Sequence, residues 1–211
     1  MKRVEIRTEP DKPIGFGRKN LWIAAKVSDA PALASALELQ EVQTANWRSG
    51  FVAAYAFPSD YVFVTPPLGG WVLAVGSLPD PSAPTALPHW RHLMSRVSSR
   101  FGEAQFFATH RGSSYTAWGH YRDGTERRLF AYGDEPIYNI GEPFPEEAEL
   151  ITQLPDPTSR YWERDDWRRP GEDDVFRLAR AWSFDPSELD SADLPVSVGV
   201  VGRLITKPGN S

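Results

Sequence analysis

Between Phe101 and Ile140 apolar and polar positions alternate in short runs, and two turn signals divide them. Gly112-Ser113 and Asp123-Gly124 are dipeptides that close two-residue hairpins, because glycine and aspartate tolerate the positive φ such turns require. The pattern predicts three consecutive antiparallel strands, with a fourth strand candidate at Ile137–Ile140. Counting outward from the turns, with Arg111 opposite Ser114 and Arg122 opposite Thr125, gives the expected register. One face then carries Phe107, Trp118 and Leu129 side by side, flanked by Thr109, Thr116 and Ala131 and by a polar row of Gln105, His120 and Arg127. The other carries Ala108, Ala117 and Phe130, with His110, Tyr115 and Tyr132 beside them. Apolar side chains on both faces imply a cover on each, since a sheet with one wet face alternates more cleanly.

Helical periodicity supplies the covers. Ala30, Leu33, Ala34 and Leu37 predict a helix over 30–39 behind Asp29 as N-cap. Trp47, Phe51, Ala54 and Tyr55 predict a second over 46–57, begun by Asn46 and stopped by Pro58. Over 88–101, Trp90, Leu93, Met94, Val97 and Phe101 form one stripe, and the opposite side with Arg91, His92, Arg96 and Arg100 reads as solvated. A helix over 172–182 follows from Val175, Leu178, Ala179 and Trp182, with acids in its first turn and Arg177 and Arg180 later, the polarity that suits the helix dipole. Glu146, Glu147 and Glu149 mark a short helix, and Asp185-Pro186-Ser187-Glu188 resembles a capping box opening another. Further strands are expected at Leu21–Val27, Tyr61–Thr65, Trp71–Gly76 and Val196–Leu204, with an edge strand through Val4, Ile6 and Thr8. The expected fold is therefore α+β: a single domain over 1–211, built on a mainly antiparallel sheet whose central meander, about 103–140, is covered by amphipathic helices. The proline- and charge-rich stretch 150–170 reads as an irregular excursion rather than a domain boundary.

Composition agrees with a folded interior: 41% hydrophobic residues and eight tryptophans suffice for a core without staples. The absence of cysteine excludes disulfides, thiolate nucleophiles and cysteine-ligated zinc, and suits a reducing cytoplasm. The N-terminal sequence has no apolar run after its basic start, and no stretch approaches the roughly 18 uninterrupted apolar residues of a membrane span. A cytoplasmic protein with no membrane partner is the expectation. The net charge of −5 is unevenly placed, since residues 141–190 hold 14 acidic and 6 basic side chains, a balance of −8 that leaves +3 elsewhere. That balance lacks the general basic footprint of a nucleic-acid binder.

Motifs that announce common chemistries are missing: no GxSxG elbow, HExxH pair, GxxxxGK[ST] loop or aspartate-rich calcium loop occurs. Neither a cofactor nor a metal site is expected. Gly15-Phe16-Gly17 lacks the third glycine and following helix of a dinucleotide loop. His89 and His92 do not converge on one helix face and read as surface histidines. His110, sharing a row with Tyr115 and Tyr132, is the site expected if the chain is a small motif-free hydrolase or transferase, with the histidine as general base. The simpler reading is a half-buried histidine bonded to a tyrosine hydroxyl. Gln105, His120 and Arg127 read as the exposed rim of the sheet or, more sharply, as an anion site. The acidic pairs Glu146-Glu147, Asp165-Asp166 and Asp173-Asp174 are interleaved with arginines, as solvated charge usually is. Trp162 and Trp167 stand among Glu163, Asp165 and Asp166 in a proline-bounded stretch, and aromatics mixed with charges resemble interface anchors. The leading expectation is a non-catalytic, inhibitor- or immunity-like protein that masks a basic protein partner through this acidic C-terminal third.

Overall fold

The computed structural model describes residues 4–56, 58–81, 83, 85–110, 112, 115–133, 136–148 and 170–204. In chain order its elements are β1 (Leu21–Ala25), α1 (Ala30–Ala36), β2 (Gln40–Asn46), α2 (Trp47–Tyr55), β3 (Tyr61–Val64), β4 (Val72–Gly76), α3 (Leu87–Phe101), β5 (Glu103–His110), β6 (Tyr115–Arg122), β7 (Thr125–Tyr132), β8 (Pro136–Ile140), α4 (Pro145–Ala148), α5 (Glu172–Trp182), a 3₁₀ turn (Pro186–Glu188) and β9 (Val198–Arg203). All nine strands join one sheet in the order β2-β9-β3-β4-β1-β5-β6-β7-β8. Every neighbouring pair is antiparallel. This is the expected α+β architecture.

Both faces of the sheet are covered, which is why β1, β3 and β4 read as near-continuous apolar runs rather than alternating ones. On one face α1 and α3 pack over Ile23, Val62, Val64, Val72, Phe106 and Leu129. On the other, α2 and α5 pack over Trp22, Phe63, Leu73, Phe107, Trp118 and Phe130. The side of α3 that reads as solvated is in part tied down: Arg91 donates both Nε and Nη2 to Glu126 at 2.9 Å, and the Tyr121 hydroxyl donates to the same carboxylate at 2.7 Å. Asn46 caps α2 by accepting from the Ser49 amide at 3.0 Å, while Asp11 accepts from the Trp47 and Arg48 amides. Asp29 sits at the N-cap of α1 but makes no side-chain cap bond. Two strands differ from expectation. Residues 4–8 run beside α2 without joining the sheet; the Arg7 carbonyl accepts from the Asn46 amide and the Arg7 amide donates to Ser49 Oγ at 3.0 Å. Strand β2 has no counterpart in the periodicity because an edge strand exposed over Gln40–Thr44 needs no apolar face.

The β5–β6 pairing is the one obtained by counting, with Phe107 opposite Trp118 and His110 opposite Tyr115. The β6–β7 pairing is not. Asp123 and Gly124 take φ of 49° and 79°, as the turn requires, and Arg122 faces Thr125. A β-bulge then absorbs Arg127, so that His120 faces Arg128 and Trp118 faces Phe130. A one-residue shift sends every later side chain of a strand to the other face. Leu129 consequently leaves Trp118 for the α1/α3 layer, and Phe130 stacks on Trp118 at 4.1 Å between ring centres.

Truncating Trp118, which is fully buried, to alanine should cost about 3–5 kcal/mol. A urea midpoint unchanged in that variant would contradict its burial. Deleting Arg127 should destabilise the protein far more than Arg127→Ala, which touches only an exposed side chain and should stay within about 0.5 kcal/mol of the parent. Equal midpoints for the deletion and the substitution would show that the bulge does not set the register.

Candidate functional site

The bulge gathers Gln105, His120 and Arg128 into one row across β5, β6 and β7 on the α5 side of the sheet. Instead of an exposed rim the row is interior: Gln105 and Arg128 are 0% exposed and His120 7%. The expected third member, Arg127, is the bulged residue and points to solvent.

Arg128 brings a fully buried guanidinium into this layer. Its Nε donates to both oxygens of Glu147, at 3.1 and 2.8 Å, and neither side chain of the pair has any solvent exposure. Its Nη1 donates to Asn139 Oδ1 at 2.7 Å and to the carbonyls of Ile140 and Gly141, both at 3.1 Å. Glu147 also accepts from the Phe144 amide at 3.1 Å. Removing both ions from water costs several kcal/mol each, so the pair persists only because the geometry and the added hydrogen bonds repay that penalty. Gly141 makes the close return possible. Its φ is +81°, and a Cβ there would lie 2.1 Å from the Arg127 carbonyl oxygen.

His120 places Nε2 3.0 Å from Glu103 Oε1. Glu103 also accepts from Gln105 Nε2 at 3.1 Å and from Lys26 Nζ at 3.3 Å, and Gln105 Nε2 donates to the Trp182 carbonyl at 3.2 Å. The imidazole is closed over by Phe144 and Trp182, at 4.7 and 5.4 Å between ring centres. Burial pushes the His120 pKa below its ordinary value; Glu103 opposes that shift, and the charges of Arg122 and Arg127 reinforce it. For Glu103 burial alone would raise the pKa, but hydrogen bonds from His120 and Lys26 outweigh it and hold the carboxyl below its usual range. His120 Nδ1, Gln105 Oε1, Arg128 Nη2 and Trp182 Nε1 are enclosed without a hydrogen-bond partner. A neutral imidazole beside a carboxylate has the composition of a general base, yet at 7% exposure it meets no substrate unless Phe144 and Trp182 lift away. As built, the cluster fastens α4 and the end of α5 to the sheet.

The other sequence-derived candidates fare differently. His110 and Tyr115 are cross-strand partners at the end of the β5–β6 hairpin. Tyr132 is not with them: it pairs with Thr116 and belongs to the α2/α5 layer, whereas Tyr115 packs against the α1/α3 layer. The same bulge causes the separation. His89 and His92 are exposed, and among the described residues no group of three or more His, Asp or Glu could hold a metal ion. Trp162, Glu163, Asp165, Asp166 and Trp167 lie outside the described residues. Of the described residues of the acidic segment, Glu142, Glu146, Asp173, Glu188 and Asp190 are exposed, whereas Glu147, Asp174 and Asp185 are buried. Among the described residues no helix is long and apolar enough to cross a membrane. The Arg128–Glu147 pair escapes the periodicity, but one signal for it exists. TERRLFAY sets two arginines in succession on a strand flanked by apolar covers, so either one of them is buried or the strand is bulged; here both hold.

Scans against family models, curated proteins and solved structures find no match to this chain.

Glu147→Ala leaves Arg128 buried without its carboxylate and should cost about 3–5 kcal/mol. The double change Arg128→Met/Glu147→Leu should recover most of that loss, and denaturant midpoints that rank the double variant below the single one would contradict the argument. Acid should also weaken the fold. The unfolded His120 takes its proton near pH 6.5, whereas the folded one takes it only at lower pH, so the native state binds fewer protons across that window. Its contribution is therefore lost as pH falls from 6.5 through the folded pKa. Glu103 adds a loss of the same sign from 4.5 downward. Midpoints measured from pH 7.5 to 5 should decline in the parent and decline less in His120→Gln; parallel curves would remove His120 from the explanation.

Proposed function

We propose that this chain is a non-catalytic binding protein of inhibitor or immunity type, which masks a basic protein partner in the cytoplasm through its acidic C-terminal third. The observation that carries the reading is the separation of charge, −8 within 141–190 against +3 elsewhere. Exposed carboxylates of that segment, Glu142 and Glu146 among them, flank an internal ion pair that anchors the segment to the sheet. Displayed carboxylates accelerate encounter with a basic surface, and desolvated aromatic anchors, for which Trp162 and Trp167 are the sequence candidates, slow dissociation. Masking requires no reactive group. This agrees with a polar row whose main charges are spent on one another and with the scattering of His110, Tyr115 and Tyr132 over two faces. The negative balance also argues against a nucleic-acid partner.

Affinity capture from cells of the source organism should retain a stoichiometric basic protein at low salt and lose it at high salt. Trp162→Ala/Trp167→Ala and Glu142→Lys/Glu146→Lys should each weaken retention by about tenfold or more. No stoichiometric partner, or one held equally by every variant and insensitive to salt, would overturn the reading.

A further inference from the structure

Beside the C-terminal half of α2 the surface opens into a groove of about 510 Å³, walled by Phe16, Phe51 and Tyr55 and edged by Arg18, Ser187 and Asp190. Its aromatic wall is ordered: Phe16 meets Phe51 at 5.1 Å, and Phe51 stacks on Tyr55 at 5.8 Å with ring planes 9° apart. Tyr55 is nonetheless 46% exposed, unusual for a large aromatic in a core stack. At the rim the backbone amide of Gly15 donates to Asp190 Oδ1 at 2.9 Å. A carboxylate oriented through one oxygen keeps acceptor capacity on the other. The cation at the same rim, Arg18, is drawn toward Glu172 at 3.8 Å.

We infer that this groove receives an arginine side chain of the basic partner, with the guanidinium stacked on Tyr55 and hydrogen-bonded to Asp190. The inference rests on the masking function and gives it a docking point to which the acidic segment contributes Ser187 and Asp190. Guanidinium is the group that satisfies both features at once, being planar enough to stack on a ring and forked to match a carboxylate. An ammonium lacks the plane, and a neutral aromatic offers no donor to the second oxygen of the carboxylate. The groove's volume falls within the roughly 300–1,000 Å³ range of ligand pockets and has room for one long side chain and its flanking backbone.

The test is a titration of the ¹⁵N-labelled full chain, followed by amide NMR, with N-acetyl-arginine N-methylamide. Its uncharged isostere N-acetyl-citrulline N-methylamide, the lysine analogue and methyl glucoside serve as controls. Saturable shifts should centre on Gly15, Phe16, Tyr55 and Asp190. Tyr55→Ala should weaken arginine binding about threefold and Asp190→Asn about tenfold. Both residues are exposed and Asp190→Asn keeps an oxygen for the Gly15 amide, so unchanged thermal melts will confirm that the variants fold. Shifts that fail to saturate at these amides, equal binding of citrulline, preference for lysine or the glucoside, or indifference to both substitutions would each overturn the assignment. Partner capture with the same variants separates the two claims. A salt-sensitive partner retained equally by Tyr55→Ala and Asp190→Asn sinks the groove alone; arginine binding in the groove with no partner captured sinks the masking reading and leaves the groove's specificity.

Discussion

An arginine buried in a sheet layer must be met by a carboxylate and by carbonyls, and that requirement organises the C-terminal third of this protein. The partners of Arg128 are Glu147, Asn139 and the carbonyls of Ile140 and Gly141, all within residues 139–147. The chain leaving β8 therefore has to fold back over the row from which Arg128 projects. That return brings Phe144 onto the His120 ring and against Trp182, 5.2 Å between ring centres, so the end of α5 is clamped in the same layer. A β-bulge one residue earlier decides which of two adjacent arginines plays this part.

Helices cover both faces of the sheet's central strands. The sheet ends in two edge strands, β2 and β8. Strand β2 is blunted as exposed edges commonly are, by a bulge between Gln40 and Gln43, by Glu41 at positive φ and by polar side chains. Strand addition at β2 is thereby disfavoured. A surface reading that combines carboxylates with a few large aromatics is consistent with that.

The electrostatics follow the same economy. Buried and half-buried polar groups are matched within the fold: Arg128 with Glu147, His120 with Glu103, which the exposed Lys26 also reaches, and Arg91 and Tyr121 with Glu126. The Arg128–Glu147 match joins β7 to α4 and, being fully buried, is more sensitive to the loss of one partner than to the loss of both. Among the described acidic residues of the C-terminal third, Glu142, Glu146, Asp173, Glu188 and Asp190 are exposed, where charge influences solubility far more than stability.

Much of the architecture is legible in the residues. Apolar periodicity and turn dipeptides locate α1, α2, α3 and α5, the β3–β4 hairpin, the meander and β9, because each of these buries a face and its spacing records that burial. The chain-wide charge asymmetry is likewise a property of sequence alone. Strand β2 and the segment 4–8 were decided by tertiary pairing, since an exposed edge and a solvated loop carry the same polar composition. The bulge at Arg127 was decided there too. Counting from a correct turn places Leu129 beside Trp118 and Tyr132 beside Tyr115, and only the energetics of stacking Phe130 on Trp118 and pairing Arg128 with Glu147 select the shifted register. Hydrophobic pattern specifies which elements form because burial is local to each. Which polar residues meet depends on contacts between strands and helices far apart in the chain, whose free energies no single segment contains.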